Sequence, residues 1–129
     1  MNDEGGMRNG KPRDIGERTK AFALMIIRLY TSLPKTTEAL VIGKQVLRSG
    51  TSVGAHIREG KRSRSNAELI SKIEGALQEM EETIYWLELL EESGILNPDG
   101  LSELFKEAGQ ITAILVANSK TLKNREKKR

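Results

Sequence analysis

Gly43, Leu47, Gly50, Gly54 and Ile57 recur at intervals of four and three, the period of one face of an α-helix. Ile42, Val46 and Val53 form a second apolar line beside them. Arg48–Gly60 looks like a loop by composition, yet it carries helical spacing. Glycines at 43, 50, 54 and 60 each cost about 1 kcal/mol of helix propensity relative to alanine. A helix that carries this cost gains a smooth side on which another backbone can pack closely. The competing reading breaks the helix at Gly50-Thr51 or at Gly60. The unbroken period favours one continuous helix.

The flanking sequence supplies partners for that face. Asp14 with Glu17 forms an Asp-x-x-Glu start signal. Ile15, Thr19, Phe22, Ile26, Leu29 and Leu33 then step at helical spacing until Leu33-Pro34 stops the run. Thr36 or Thr37 caps the glycine-bearing helix. Ser65-Asn66-Ala67-Glu68 is a capping box that opens a third helix, with Leu69, Ile73, Leu77, Met80, Ile84 and Leu87 as its core stripe. Gly94 is placed to end it with a left-handed residue, Ile95 folding back as the hydrophobic contact. Asn97-Pro98 starts a fourth helix, with Leu101, Leu104, Ala108, Ile111, Leu115 and Leu122 on its stripe.

No strand pattern and no internal repeat is visible. The predicted fold is all-α: an antiparallel up-down four-helix bundle over residues 13–119. Residues 1–12 read as a disordered N-terminal segment and residues 120–129 as a basic C-terminal tail.

Composition narrows the classes. Of 129 residues, 37% are hydrophobic, enough for one core with little to spare, so burial against partner chains would help. There is no cysteine, which removes disulfides and thiolate metal sites and suits a cytoplasmic location. Met1–Pro12 holds no apolar segment of the signal-peptide kind, and the longest apolar run, Ala21–Ile27, is too short to span a bilayer. The expectation is therefore no membrane contact.

Charge is strongly segregated. Residues 1–64 carry 13 basic and 6 acidic side chains, net +7; residues 65–107 carry 2 and 11, net −9; residues 108–129 carry 6 and 1, net +5. Such asymmetry fits either a nucleic-acid surface or basic and acidic helices that face each other. On the second helix Lys44, Arg48, Thr51, Ala55, Arg58 and Arg62 line one edge. Lys44, Arg48, Arg58, Lys61, Arg62 and Arg64 are the candidate nucleic-acid contacts. On the third helix Glu79, Glu82, Trp86 and Leu89 form a flank where an aromatic and a leucine suggest an oligomer interface, the alternative being a widened internal core.

Catalytic signals are weak. His56, the single histidine, shares a helix edge with Ser52 and Glu59. Three residues on one edge do not converge on a substrate with an oxyanion hole. A di-iron bundle needs two Glu-x-x-His motifs, and Val53 stands where the glutamate would be. No catalytic residue, metal site or cofactor is expected, and the chain reads as a non-enzymatic binding or assembly module.

Leu33-Pro34-Lys35, Gly43–Ala55, Ile57-Arg58-Glu59-Gly60, Glu79–Thr83, Tyr85-Trp86-Leu87 and Ser93-Gly94-Ile95 together resemble the bacterial 23S rRNA intervening-sequence protein family over about residues 14–117. The chain departs from that family at His56, where asparagine is usual. The resemblance implies a left-handed antiparallel bundle that assembles into a homopentameric ring. It also implies similarity to the accessory variability proteins of diversity-generating retroelements, basic pentamers that bind a reverse transcriptase and nucleic acid. Two expectations follow: an oligomer that binds RNA or a ribonucleoprotein partner, such as a reverse transcriptase, through basic surfaces; or a structural adaptor whose basic edge meets the acidic helix of a neighbouring subunit.

Overall fold

Four helices form from four amphipathic stretches, the first three opened by side-chain caps and the fourth by a 3₁₀ turn. The computed structural model describes Met7–Arg8, Lys11–Pro12 and residues 14–128. Its helices are α1 (Ile15–Ser32), α2 (Thr37–Gly60), α3 (Asn66–Glu92) and α4 (Ser102–Lys127). Asp14 Oδ1 accepts from the Glu17 N–H at 2.7 Å, Thr36 Oγ1 from Ala39 at 3.3 Å and Ser65 Oγ from Glu68 at 3.1 Å. Leu33 leaves the helical region at ψ 146°, as a residue before proline must. Gly94 takes φ +80°, and the Leu96 N–H reaches back to the Leu90 carbonyl at 3.0 Å. Ile95 packs against the core as the sequence suggests.

The helices pack in chain order, α1 on α2, α2 on α3, α3 on α4, and α4 returns to α1. Contacts along α1 and α2 run in opposite senses: Leu33 meets Gly43, Ile26 meets Gly50 and Thr19 meets Gly54. The same holds for α2 and α3, where Ser49 meets Thr83 and Glu59 meets Lys72. The result is the expected antiparallel four-helix bundle. Its core is built from Phe22, Ile26 and Leu29 of α1, Val46, Val53 and Ile57 of α2, Ile73, Met80, Leu87 and Leu90 of α3, and Leu104, Ile111, Leu115 and Leu122 of α4.

The glycine face does what its spacing predicts. Gly43, Gly50 and Gly60 are buried in an uninterrupted α2. A Cβ on Gly50 would stand 2.8 Å from Ile26 Cγ1, so α1 lies on α2 more closely than alanine permits.

Three features differ from the sequence reading. Asn97 caps a single 3₁₀ turn, Pro98–Gly100, and α4 proper begins at Ser102. At the other end α4 continues through Lys127 rather than dissolving at Lys120, because Leu122 extends the Leu115 stripe into the core. On α3 the buried line is Ile73, Ala76, Met80, Thr83, Leu87 and Leu90, while Leu69, Leu77 and Ile84 are half-buried. The disorder expected for residues 1–12 falls mostly outside the described residues. Within that stretch Met7–Arg8 and Lys11–Pro12 pair as a two-residue antiparallel ladder, a local turn contact that no sequence period signals.

Candidate nucleic-acid interface

Antiparallel packing turns charge segregation along the chain into polarity along the bundle. The end of α2, the α2–α3 connection, the start of α3 and the end of α4 meet at one end, where they line a common cleft. Residues 55–72 and 118–128 bring ten basic and three acidic side chains to this end, net +7. Residues 86–103, at the opposite end of α3 and the start of α4, carry five acidic side chains and no basic one.

The six predicted contacts separate into three groups. Arg58, Lys61, Arg62 and Arg64 are exposed at the basic end, and among the described residues none has an acidic partner. Lys61 leans over the first turn of α1, its Nζ 2.7 Å from the position a Cβ on Gly16 would occupy. Lys44 is exposed but sits about four turns earlier on α2, away from that cluster. Arg48 is not free: it bonds Glu79 Oε1 at 3.3 Å and Glu82 Oε2 on α3 of the same chain. Periodicity places Arg48 on a basic edge, but it cannot show that this part of the edge borders α3.

The same contacts redefine the flank assigned to an interface. Glu79 and Glu82 are occupied by Arg48, and Trp86 Nε1 donates to Glu82 Oε2 at 3.0 Å. Trp86 and Leu89 are half-buried, with Trp86 packed against the core. The aromatic that faces outward is Tyr85, 52% exposed and edge-on to Trp86 at 5.1 Å. It lies on the acidic outer line Gln78, Glu81, Tyr85, Glu88 and Glu92, all exposed.

The Ser52–His56–Glu59 constellation does not assemble. Ser52 Oγ donates to the Arg48 carbonyl at 2.7 Å, and Glu59 accepts from Lys72 Nζ at 2.9 Å. His56 turns to α3, with its ring over Gly75 and Nε2 3.8 Å from Glu79 Oε2, beyond hydrogen-bond reach. The hydrogen bond and charge of Lys72 hold the Glu59 carboxyl below the ordinary glutamate pKa. Lys123 does the same for Glu74, which joins α3 to α4.

Two buried polar links went unnoticed in the sequence. Arg18 of α1 grips Glu107 of α4 with both carboxylate oxygens engaged, Nε at 2.8 Å and a terminal nitrogen at 3.1 Å, and also reaches Gln110. Both residues are more than nine-tenths buried. Thr83 Oγ1 meets Ser49 Oγ at 2.8 Å between α2 and α3. A signal existed for the first pair: Arg18 stands four residues before Phe22, and Glu107 three after Leu104, both at core register.

A cleft of about 620 Å³ opens at the basic end. Ile57, Leu69, Ile73, Leu115 and Leu122 line its interior, and Lys61, Arg64, Lys72 and Arg125 stand around it. A second, of about 610 Å³, lies between α1 and α2 on the outside. Lys20, Leu24, Thr51, Gly54, Ala55 and Arg58 line it. Leu24 and Ile27, beside it on α1, are exposed. No helix among the described residues is long and apolar enough to cross a membrane.

The family model described as 23S rRNA-intervening sequence protein matches residues 13–117. The chain is also similar to a crystal structure described as a protein with unknown function from the S23 ribosomal protein family of Bacteroides thetaiotaomicron VPI-5482. Identity is 36%, coverage is 83% of this chain and 99% of that chain, and the TM-score is 0.79. Among curated proteins, none matches.

Proposed function

The chain belongs to the 23S rRNA-intervening sequence protein family, and from that premise we propose that it is a non-enzymatic, homo-oligomeric bundle of the cytoplasm that binds RNA through its basic end. One observation carries the reading: Lys61 and Arg64 line a cleft together with Arg125 of α4, the exposed Arg58 and Arg62 lie next to them in the chain, and none of the five has an acidic partner among the described residues. Concentrated unpaired cations release counterions from a phosphate backbone, so affinity falls steeply with salt. Replacing Arg58 and Arg62 by glutamine lowers RNA affinity in fluorescence anisotropy and reduces the salt slope by about two, one for each phosphate no longer neutralised. No binding at low salt would sink this reading. A ribonucleoprotein partner, such as a reverse transcriptase, would be held through the same charges.

Assembly is favoured by a separate observation. The outer α1–α2 cleft is basic, with exposed Leu24 and Ile27 beside small residues at 51, 54 and 55. The outer line of α3 is acidic with an exposed tyrosine. Such patches on one chain are complementary but distinct, so their contact is head-to-tail and closes into a ring when the rotation permits. Charge reversal at Lys20, which lines this cleft, or at Glu81 then lowers the mass measured by light scattering, and restoring opposite signs by reversing both recovers it. A monomeric parent protein would exclude this assembly.

A further inference from the structure

The cleft at the basic end is more than a charged surface, because its interior is apolar and its opening is cationic. Ile57, Ile73 and Leu115 close its floor, so a strand entering it cannot pass through the bundle. Lys61, Arg64 and Arg125 stand at its mouth without acidic partners among the described residues, whereas Lys72 is already bonded to Glu59. The first turn of α3 also borders it, and helix starts favour anions. Asn66 and Asn118 offer paired donors and acceptors on the walls. Ser63 Oγ, on a wall residue, is buried with no hydrogen bond among the described residues, as is His56 Nδ1, which lies against Gly75 of α3. Such orphaned atoms are scarce in surfaces built for packing alone.

We propose that this cleft seats the terminal nucleotide of an RNA strand and reads its terminal phosphate monoester; the inference rests on the RNA-binding reading above. The chemistry distinguishes an end from an interior stretch. A phosphate monoester carries a charge between about −1.5 and −2 at neutral pH and three acceptor oxygens, while an internal diester carries one charge. Arg64 and Arg125 supply planar donor forks suited to the monoester oxygens, and Lys61 adds a point charge. The aliphatic floor takes the base and ribose, whose polar edges face Asn66 and Asn118.

The test compares one short RNA in three forms: with a 5′-phosphate, with a 3′-phosphate, and with hydroxyls at both ends. Binding is read by anisotropy at low salt on the full-length protein. One phosphorylated form binds about tenfold more tightly than the hydroxyl form, the scale of one or two charge-assisted hydrogen bonds, and which form it is assigns the 5′ or 3′ end. In the double variant Arg64→Gln, Arg125→Gln, this preference falls to about twofold or less. Both side chains are exposed, and circular dichroism checks that the helices persist. The pair Arg58→Gln, Arg62→Gln, outside the cleft, weakens all three forms alike. Equal binding of the three RNAs by the parent protein overturns the end site and leaves RNA binding intact. A preference that survives the Arg64, Arg125 variant overturns the cleft as its location. Failure of every form to bind overturns both.

Discussion

Gly50→Ala tests whether the glycine face exists for close packing. Alanine gains about 1 kcal/mol of helix propensity at an interior position. Against this, the new Cβ stands 2.8 Å from Ile26 Cγ1 and 3.0 Å from Cγ2. Both atoms branch from the Ile26 Cβ, so rotating χ1 does not clear them, and isoleucine in a helix has one strongly preferred rotamer. Ile26 is fully buried, so relief requires α1 to move off α2. Overpacking of this kind costs about 1–3 kcal/mol. Gly54→Ala is the internal reference. It lies in the same helix, but its nearest neighbours, Thr19 backbone and Oγ1 atoms, are at 3.4 Å, ordinary contact. Propensity cancels between the two variants, which leaves a difference of about 1–3 kcal/mol due to packing alone. Urea unfolding at one fixed protomer concentration measures it, with unchanged m values required for the comparison. Ile26→Ala made in the Gly50→Ala background then costs less than it does alone, because it removes the clash. Equal stabilisation by both alanines would refute close approach as the reason for the glycine.

Arg18→Gln takes the guanidinium away from the buried Glu107 carboxylate and lowers stability by about 3–5 kcal/mol, whereas the volume-matched pair Arg18→Met, Glu107→Leu recovers most of the loss in urea unfolding. Thr83→Val removes the α2–α3 hydroxyl contact and costs about 1 kcal/mol, with little added by a further Ser49→Ala in a double-mutant cycle. Leu122→Ala lowers stability by about 2 kcal/mol or more if the last turns of α4 belong to the core, and by nothing measurable if they are a solvated tail. An NMR titration is expected to find the Glu59 and Glu74 carboxyls below the ordinary glutamate value, with Lys72→Met and Lys123→Met returning them one by one. Their folded pKa values are depressed, so whatever they contribute to stability is present above the unfolded pKa and lost as pH falls through the folded values.

What the sequence made legible was set by how each residue type reports its surroundings. Glycines at steps of four and three on α2 are so costly in a helix that their spacing alone marks a packed face, and Gly43, Gly50 and Gly60 are buried. On α3, apolar residues occupy more than one line, so spacing alone could not rank them. Ala76, Thr83 and Leu90 point inward because α2 and α4 press there, which is tertiary information. Arg18 and Glu107 are 89 residues apart, and each resembles an ordinary surface charge when read alone. The C-terminal basic run follows the same rule: charge density points to a solvated end, while Leu122, seven residues after Leu115, keeps the helix on the core.

The charge pattern offered two readings as alternatives, complementary helices or a free basic surface, and the bundle contains both. Antiparallel packing sets the middle of α2 against the middle of α3, so Arg48 is neutralised by Glu79 and Glu82 within the chain. Near the end of α2, Glu59 takes Lys72, and the basic residues that follow outnumber the acidic ones within reach. Internal pairing therefore removes charge from the waist of the bundle and leaves it concentrated at one end. This partition makes the two uses of the basic side chains, internal pairing and external binding, separable. Changes at Arg48 should act through α2–α3 packing, and changes at Arg62 or Arg64 through what the basic end binds. Arg48→Gln that reduced RNA affinity as much as Arg62→Gln, with stability unchanged, would contradict that division.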